Sequence, residues 1–205
     1  MRRLTLPAFA SAVLFVCTLV PAGDAAAQES EPRNLSFEEP APAGGPPPGW
    51  WFIQHAGPPS FDFALDDRIA KDGKQSMRIR RTGGEPWGLV MQSVKADRFR
   101  GKRVRLTAFL RLDNVEAFGH GALRDMSGAT LMLRNQGGPL ALDDMRDRPL
   151  RGTKAWAEVR VEIDVPEAAS RVEFGAQLSG TGTLWMDAFK LDVVEPNTAA
   201  RAVTP

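Results

Sequence analysis

Few side chains in this chain are suited to covalent chemistry, and their spacing narrows the choice further. His55 and His120 stand too far apart for a His-Glu-x-x-His pair, and the single cysteine, Cys17, excludes a zinc cluster or a disulfide framework. There is no Gly-x-Ser-x-Gly elbow and no Gly-x-x-x-x-Gly-Lys loop. Gly73-Lys74 near Ser76 lacks the upstream glycine of a phosphate cradle. Acyl and phosphoryl transfer therefore have no support. Asp143 and Asp144 are adjacent, whereas the carboxylates of a glycosidase face one another across the scissile bond. The pair reads as a solvated loop, and the chain reads as no enzyme.

Non-covalent recognition remains. Sugar rings offer apolar faces to aromatic side chains and hydroxyls to planar polar groups, so the useful pattern is an aromatic beside Arg, Asn or Gln. Phe109 and Arg111 have that relation on the polar side of an alternating strand. A Phe there needs cover from a ligand or from another segment, with the Pro40–Gly49 stretch as the alternative cover. Trp51 and Trp87 neighbour Pro/Gly turns and read as rim residues, whereas Trp50, Trp156 and Trp185 read as core. His120, between Gly119 and Gly121, is a candidate for a loop pocket. Arg134 shares polar-side parity with Arg78, Arg80, Arg105 and Arg111, which gives either a basic stripe for acidic glycans or charge balance against Glu158, Glu162 and Glu173. Asp187 shares the parity of Trp185, Phe189, Leu191 and Val193 and is expected on a buried face. Its charge there requires backbone donors, an arginine or a hard cation.

The elements that must position these residues are strands. Val104, Leu106, Ala108, Leu110 and Leu112 alternate with polar neighbours, and the pattern recurs over Ala157–Val165 and Val172–Leu178. Shorter versions cover Phe61–Leu65, Ser76–Arg80, Leu89–Val94 and Ala129–Arg134. Asp72-Gly73, Gly83-Gly84, Gly137-Gly138 and Gly180-Thr181-Gly182 separate the runs. Helical periodicity reaches at best a turn or two, at 115–125 and 166–170. The spacing predicts an all-β fold of two packed antiparallel sheets.

With 26 basic and 25 acidic residues among 205, the net charge is +1, and no like-charge block favours nucleic acid. Arg2 and Arg3 precede an apolar run, Leu4 to Val20, leading to Ala25-Ala26-Ala27. Residues 1–27 thus read as a secretory signal peptide, with no lipid anchor and no membrane attachment after cleavage. The expected organisation is a disordered linker at 28–33, a sandwich domain at 34–195 and a disordered tail at 196–205, in a periplasmic or secreted protein. The segment 40–49, with five prolines and three glycines, must run over the surface.

Asn34-Leu35-Ser36-Phe37-Glu38, the stretch ending Pro48-Gly49-Trp50, Gly73-Lys74-Gln75-Ser76, Gly101-Lys102-Arg103-Val104, Trp156 and Gly182-Thr183-Leu184-Trp185-Met186-Asp187 occur in the order found in jelly-roll carbohydrate-binding modules. The chain resembles that group, part of the galactose-binding-like superfamily, over most of its mature length. Leu131-Met132-Leu133-Arg134, Leu142-Asp143-Asp144-Met145, Arg148-Pro149, Gly152-Thr153 and Trp156 are similar to a bacterial sandwich domain also found attached to transcription regulators and hydrolases. The resemblance implies a jelly-roll β-sandwich and a non-catalytic module binding a carbohydrate or related ligand. A structural or protein-interaction domain of the cell envelope is the alternative. It also implies that Glu38 and Asp187 stand where such modules place two ligands of a structural calcium, a metal-free hydrogen-bond network being the other way to satisfy them. Mass spectrometry of the protein from its native host should give a mature chain beginning at Gln28. Intact Met1 in a soluble cytoplasmic fraction would overturn the export reading.

Overall fold

The computed structural model describes residues 30–194; the expected signal peptide and the expected tail lie outside the described residues. The strands are β1 (Trp51–Gln54), β2 (Phe61–Asp66), β3 (Ser76–Arg81), β4 (Trp87–Lys95), β5 (Arg103–Val115), β6 (Gly128–Gln136), β7 (Leu142–Asp143), β8 (Gly152–Asp164), β9 (Arg171–Ser179) and β10 (Thr183–Val194). One short helix, α1 (Ala122–Asp125), precedes β6. They form two five-stranded antiparallel sheets, ordered β1-β4-β9-β6-β7 and β2-β3-β10-β5-β8. The chain crosses repeatedly between the sheets, as a jelly roll requires.

Alternation builds the core. Val104, Leu106, Ala108, Leu110 and Leu112 of β5 face Val172, Phe174, Ala176 and Leu178 of β9 across the sandwich, all at most 1% exposed. The alternation in β8 is only half used. Val161 and Ile163 are buried, as is Val165 just beyond the strand, but Val159 is half-buried and Ala157 exposed. β8 is an edge strand whose register with β5 breaks twice, between Leu110 and Leu112 and between Leu112 and Val115. Its first half therefore runs past the core. Trp156 lies in that half and is only half-buried, which corrects the expectation that it is a core residue.

One end of the core is closed by aromatic rings. Trp50 packs on Phe37 (centroids 4.8 Å apart), Phe189 (5.0 Å) and Phe174 (5.8 Å), and its indole N–H donates to the Asn34 carbonyl at 3.0 Å. Buried Gln92 reaches from β4 to the chain before β1, accepting from the Arg33 amide at 2.7 Å and donating to its carbonyl at 2.8 Å. The segment expected as a linker is thus anchored at Arg33. The proline-rich stretch runs over the surface, with Pro47 buried where it approaches Trp50.

β10 departs from simple alternation. Asp187 pairs with Phe109 but Lys190 with Thr107, so one residue is extra, and Ala188 takes φ 50°. The bulge reverses parity. Leu184, Met186, Phe189 and Leu191 face the core, Trp185 and Asp187 face outward, and Val193 is 48% exposed. The expectation of one shared face for Trp185, Asp187, Phe189, Leu191 and Val193 is corrected by that extra residue. Asp187 is nevertheless fully buried, because the β2–β3 connection covers it. Its carboxylate accepts from the amides of Lys71 (2.9 Å), Asp72 (3.0 Å) and Ala188 (2.7 Å). The amide of Gly73 turns to the Asp72 side chain at 2.9 Å, and those of Lys74 and Gln75 go to Glu38 at 3.0 and 3.2 Å. Five consecutive N–H groups therefore end on carboxylates, tying the β2–β3 connection to both the N-terminal segment and the closing strand.

Burial pushes the Asp187 carboxyl above the usual carboxylate range, and the three backbone donors offset this only in part. Folding therefore shifts this group toward its protonated form. Its contribution to stability grows as pH falls from neutral through the folded-state pKa toward the unfolded value of roughly 3.9. Asp187→Ala should lower stability at neutral pH by about 2–4 kcal/mol in denaturant titration, since three donors lose their acceptor, and should erase this pH-dependent increment. An unchanged midpoint would show that the amides find other partners. Calcium needs six to eight oxygens, whereas Glu38 and Asp187 are met here by N–H donors, and no group of three His, Cys, Asp or Glu side chains suited to a metal occurs among the described residues. These contacts support the metal-free hydrogen-bond network. Melting in chelator and then in excess calcium should give one Tm, and a saturable rise with calcium would restore the metal site.

Candidate ligand-binding face

The first sheet carries apolar side chains on its outer side as well as in the core. In β4, Val90 and Val94 enter the core while Trp87, Leu89 and Met91 point outward; in β6, Leu131 and Leu133 go in and Met132 out. Leu89, Met91 and Met132 form a second cluster outside the core, flanked by half-exposed Trp51 and Trp87. Gly175 of β9 is the register partner of both Met91 and Met132 and sets the floor between them. A Cβ at Gly175 would collide with the Val90 carbonyl, so glycine is required by this close approach.

Two depressions open on this face. One, of about 250 Å³, places Trp87 and Met132 beside the polar groups of Thr130 and Gln177, with Leu123 and Met126 from α1 and its flank at one margin. The Asp144–Arg146 ion pair, with a closest approach of 2.5 Å, borders it. His55 stands edge-on to Trp87 with centroids 6.0 Å apart and bonds Glu85 at 2.9 Å. The other depression, of about 390 Å³, runs from Trp51, Ile53 and Met91 to a polar end at Arg134, Gln136, Arg171 and Glu173. Buried Glu173 accepts from Arg134 Nε at 2.6 Å and Gln136 Nε2 at 2.5 Å.

Trp51, Trp87 and Arg134 thus come together on one face. Phe109 and Arg111 do not join them, because they lie on the outer face of the second sheet. There Lys71 covers the Phe109 ring at 4.6 Å, so the cover comes from the β2–β3 connection rather than from residues 40–49. Arg111 sits over Trp185 at 5.9 Å with its Nε buried and unpartnered, and the Trp185 indole donates to Asp66 at 3.0 Å. His120 is exposed in the loop before α1. Glu38 and Asp187 belong to the clamp on the β2–β3 connection. The arginines sharing polar parity form no single stripe. Arg78 and Arg80 hold Asp62 at 2.8 and 3.0 Å and Arg103 and Arg105 hold Glu162 at 2.8 and 2.6 Å on one sheet, while Arg134 holds Glu173 on the other.

Asp143 and Asp144 are drawn to separate arginines, Arg148 at 2.7 Å and Arg146 at 2.5 Å. The Arg146 hydrogen bond holds Asp144 below its ordinary range, keeping it ionised and unfit to donate a proton at neutral pH. Leu89, Met91, Met132, Gln177 and Arg171 were not named as site residues from sequence, and Glu173 was named only as charge balance, the part it takes with Arg134. The available signal was the runs Leu89-Val90-Met91 and Leu131-Met132-Leu133, which are apolar at every position where a half-buried strand would alternate.

No protein-family model matches the chain. It is 34% identical over 140 residues to the uncharacterized HTH-type transcriptional regulator YbfP of Bacillus subtilis strain 168, covering 67% of this chain and 45% of that protein, so it spans less than half of that relative's length. Among solved structures it is similar to an apo-form cyclase from Fischerella sp. (TM-score 0.54, 14% identity, 82% of this chain and 97% of that one). It is also similar to TmCBM61 in complex with β-1,4-galactotriose (TM-score 0.50, 12% identity, 82% and 100%). At such identities the likeness is one of fold, and the fold is the jelly-roll β-sandwich of carbohydrate-binding modules.

Proposed function

We propose that the chain is an exported, non-catalytic binding module that takes a carbohydrate on the outer face of its first sheet. The observation carrying this reading is the pair of half-exposed indoles, Trp51 and Trp87, packed on an outward cluster of Leu89, Met91 and Met132 that is only 5–8% exposed, with Gln177, Arg134 and Asp144–Arg146 at the borders of the two depressions. The indoles of Trp51 and Trp87 are the apolar groups this face leaves half in water, where a ligand can cover them. Two half-exposed indoles over a floor lowered at Gly175 suit the flat face of a sugar ring, with amide and guanidinium groups at the margin to read its hydroxyls. The pairing of Asp143 and Asp144 with separate arginines supports a binding rather than a hydrolytic role. A near-neutral chain supports a ligand other than nucleic acid. Among the described residues no helix is long and apolar enough to cross a membrane.

A glycan array followed by titration calorimetry tests the proposal. Trp87→Ala should reduce affinity at least tenfold while leaving Tm within a few degrees, because the side chain is half-exposed and outside the main core. Arg111→Ala, on the opposite sheet, should leave affinity unchanged. The reverse result would move the site to the second sheet, and an empty array would favour a structural or protein-interaction domain.

A further inference from the structure

The polar end of the same face carries a charge imbalance that bears on what kind of sugar it takes, provided that face is the site. Arg134 and Glu173 face each other on β6 and β9, and Arg171 lies opposite Gln136 one step along, diagonal to Arg134. Such diagonal neighbours are about 7–8 Å apart at the backbone, within reach of one another's long side chains. Arg134 donates Nε to Glu173 and gives neither terminal nitrogen to a described residue. Arg171 is held by Ser93, donating Nε to its Oγ at 2.6 Å and one terminal nitrogen to its carbonyl at 2.8 Å. It has no carboxylate partner among the described residues, nor has Lys95, its neighbour on β4. Asp97, near Lys95 and Arg171, is taken by Arg100 at 3.0 Å, so Arg134, Arg171 and Lys95 stand against one further carboxylate, Glu173, which is buried and already accepts from Arg134 and Gln136. At the Trp87 end the cation Arg146 is matched by Asp144.

We propose that this end binds the carboxylate of a hexuronate unit, within an acidic glycan whose adjoining ring lies against Trp51. The two terminal nitrogens of Arg134 form a planar fork that matches a carboxylate edge-on. Ser93 fixes Arg171 beforehand, so little side-chain freedom is lost when the anion arrives. Glu173 aligns Arg134 through its Nε, leaving the terminal nitrogens to point away.

The test uses calorimetry on the unaltered chain with oligogalacturonate and oligomannuronate, each against its own methyl ester, at low and high salt. The acid form should bind at least about tenfold more tightly than the ester, and the difference should shrink as salt screens the charges. Arg134→Gln should abolish the preference and Lys95→Gln should reduce it. If Arg134→Gln fails to fold because Glu173 is left less compensated, the ester pairs and Lys95→Gln still decide. Esters bound as tightly as acids would overturn the charge assignment while leaving the sugar-binding reading standing. A sulfated oligomer bound more tightly than the uronates would overturn the carboxylate assignment. Absence of binding by every oligomer, acidic or neutral, would sink both.

Discussion

In a two-sheet sandwich every strand is one residue away from exchanging its core face for its solvent face, and β10 makes that exchange once, at Ala188. Before the bulge, Leu184 and Met186 point inward; after it, Phe189 and Leu191 do. Without the extra residue, either Phe189 would leave the aromatic group around Trp50 or Trp185 would enter a core that has no acceptor for its indole N–H. The bulge also leaves Asp187 facing outward where the β2–β3 connection can close over it. A carboxylate buried at that point then organises five successive amides of the connection, together with Asp72 and Glu38. Backbone that would otherwise be an unsupported loop becomes a strap across the end of the second sheet.

The two outer faces solve the exposure problem differently. On the second sheet charged pairs cover the surface, and the aromatic residues there are tied in: Trp185 to Asp66, Phe109 under Lys71. On the first sheet the outward residues are apolar at Trp87, Leu89, Met91 and Met132 and polar toward Arg134 and Gln136, and the half-exposed indoles of Trp51 and Trp87 flank the buried Leu89, Met91 and Met132. Met91 and Met132 suit such a floor, since unbranched thioether chains adapt to whatever lies on them. The same sheet thus serves as half of the core and as the candidate site, and Gly175 joins the two roles by allowing its strand to lie close to β4.

The sheets, most strand positions and the inward set of β5 and β9 were legible in the sequence, because period-two burial is a local property that each strand carries by itself. So was the need of Asp187 for partners, since a carboxylate among large apolar residues demands them wherever it lies. Which residues share a face was decided only by the tertiary structure. Arg111 and Arg134 have equivalent polar parity, yet they belong to different sheets because the chain crosses the sandwich between β5 and β6. Trp156 reads as core and is not, because an edge strand can outrun the layer it pairs with. Asp187 found two of its three donors in residues more than a hundred positions earlier, and Trp51, Trp87 and Arg134 met through β-pairings that skip several strands. Parity is written residue by residue; strand order, bulges and the choice of sheet follow from long-range pairing, which no local pattern encodes.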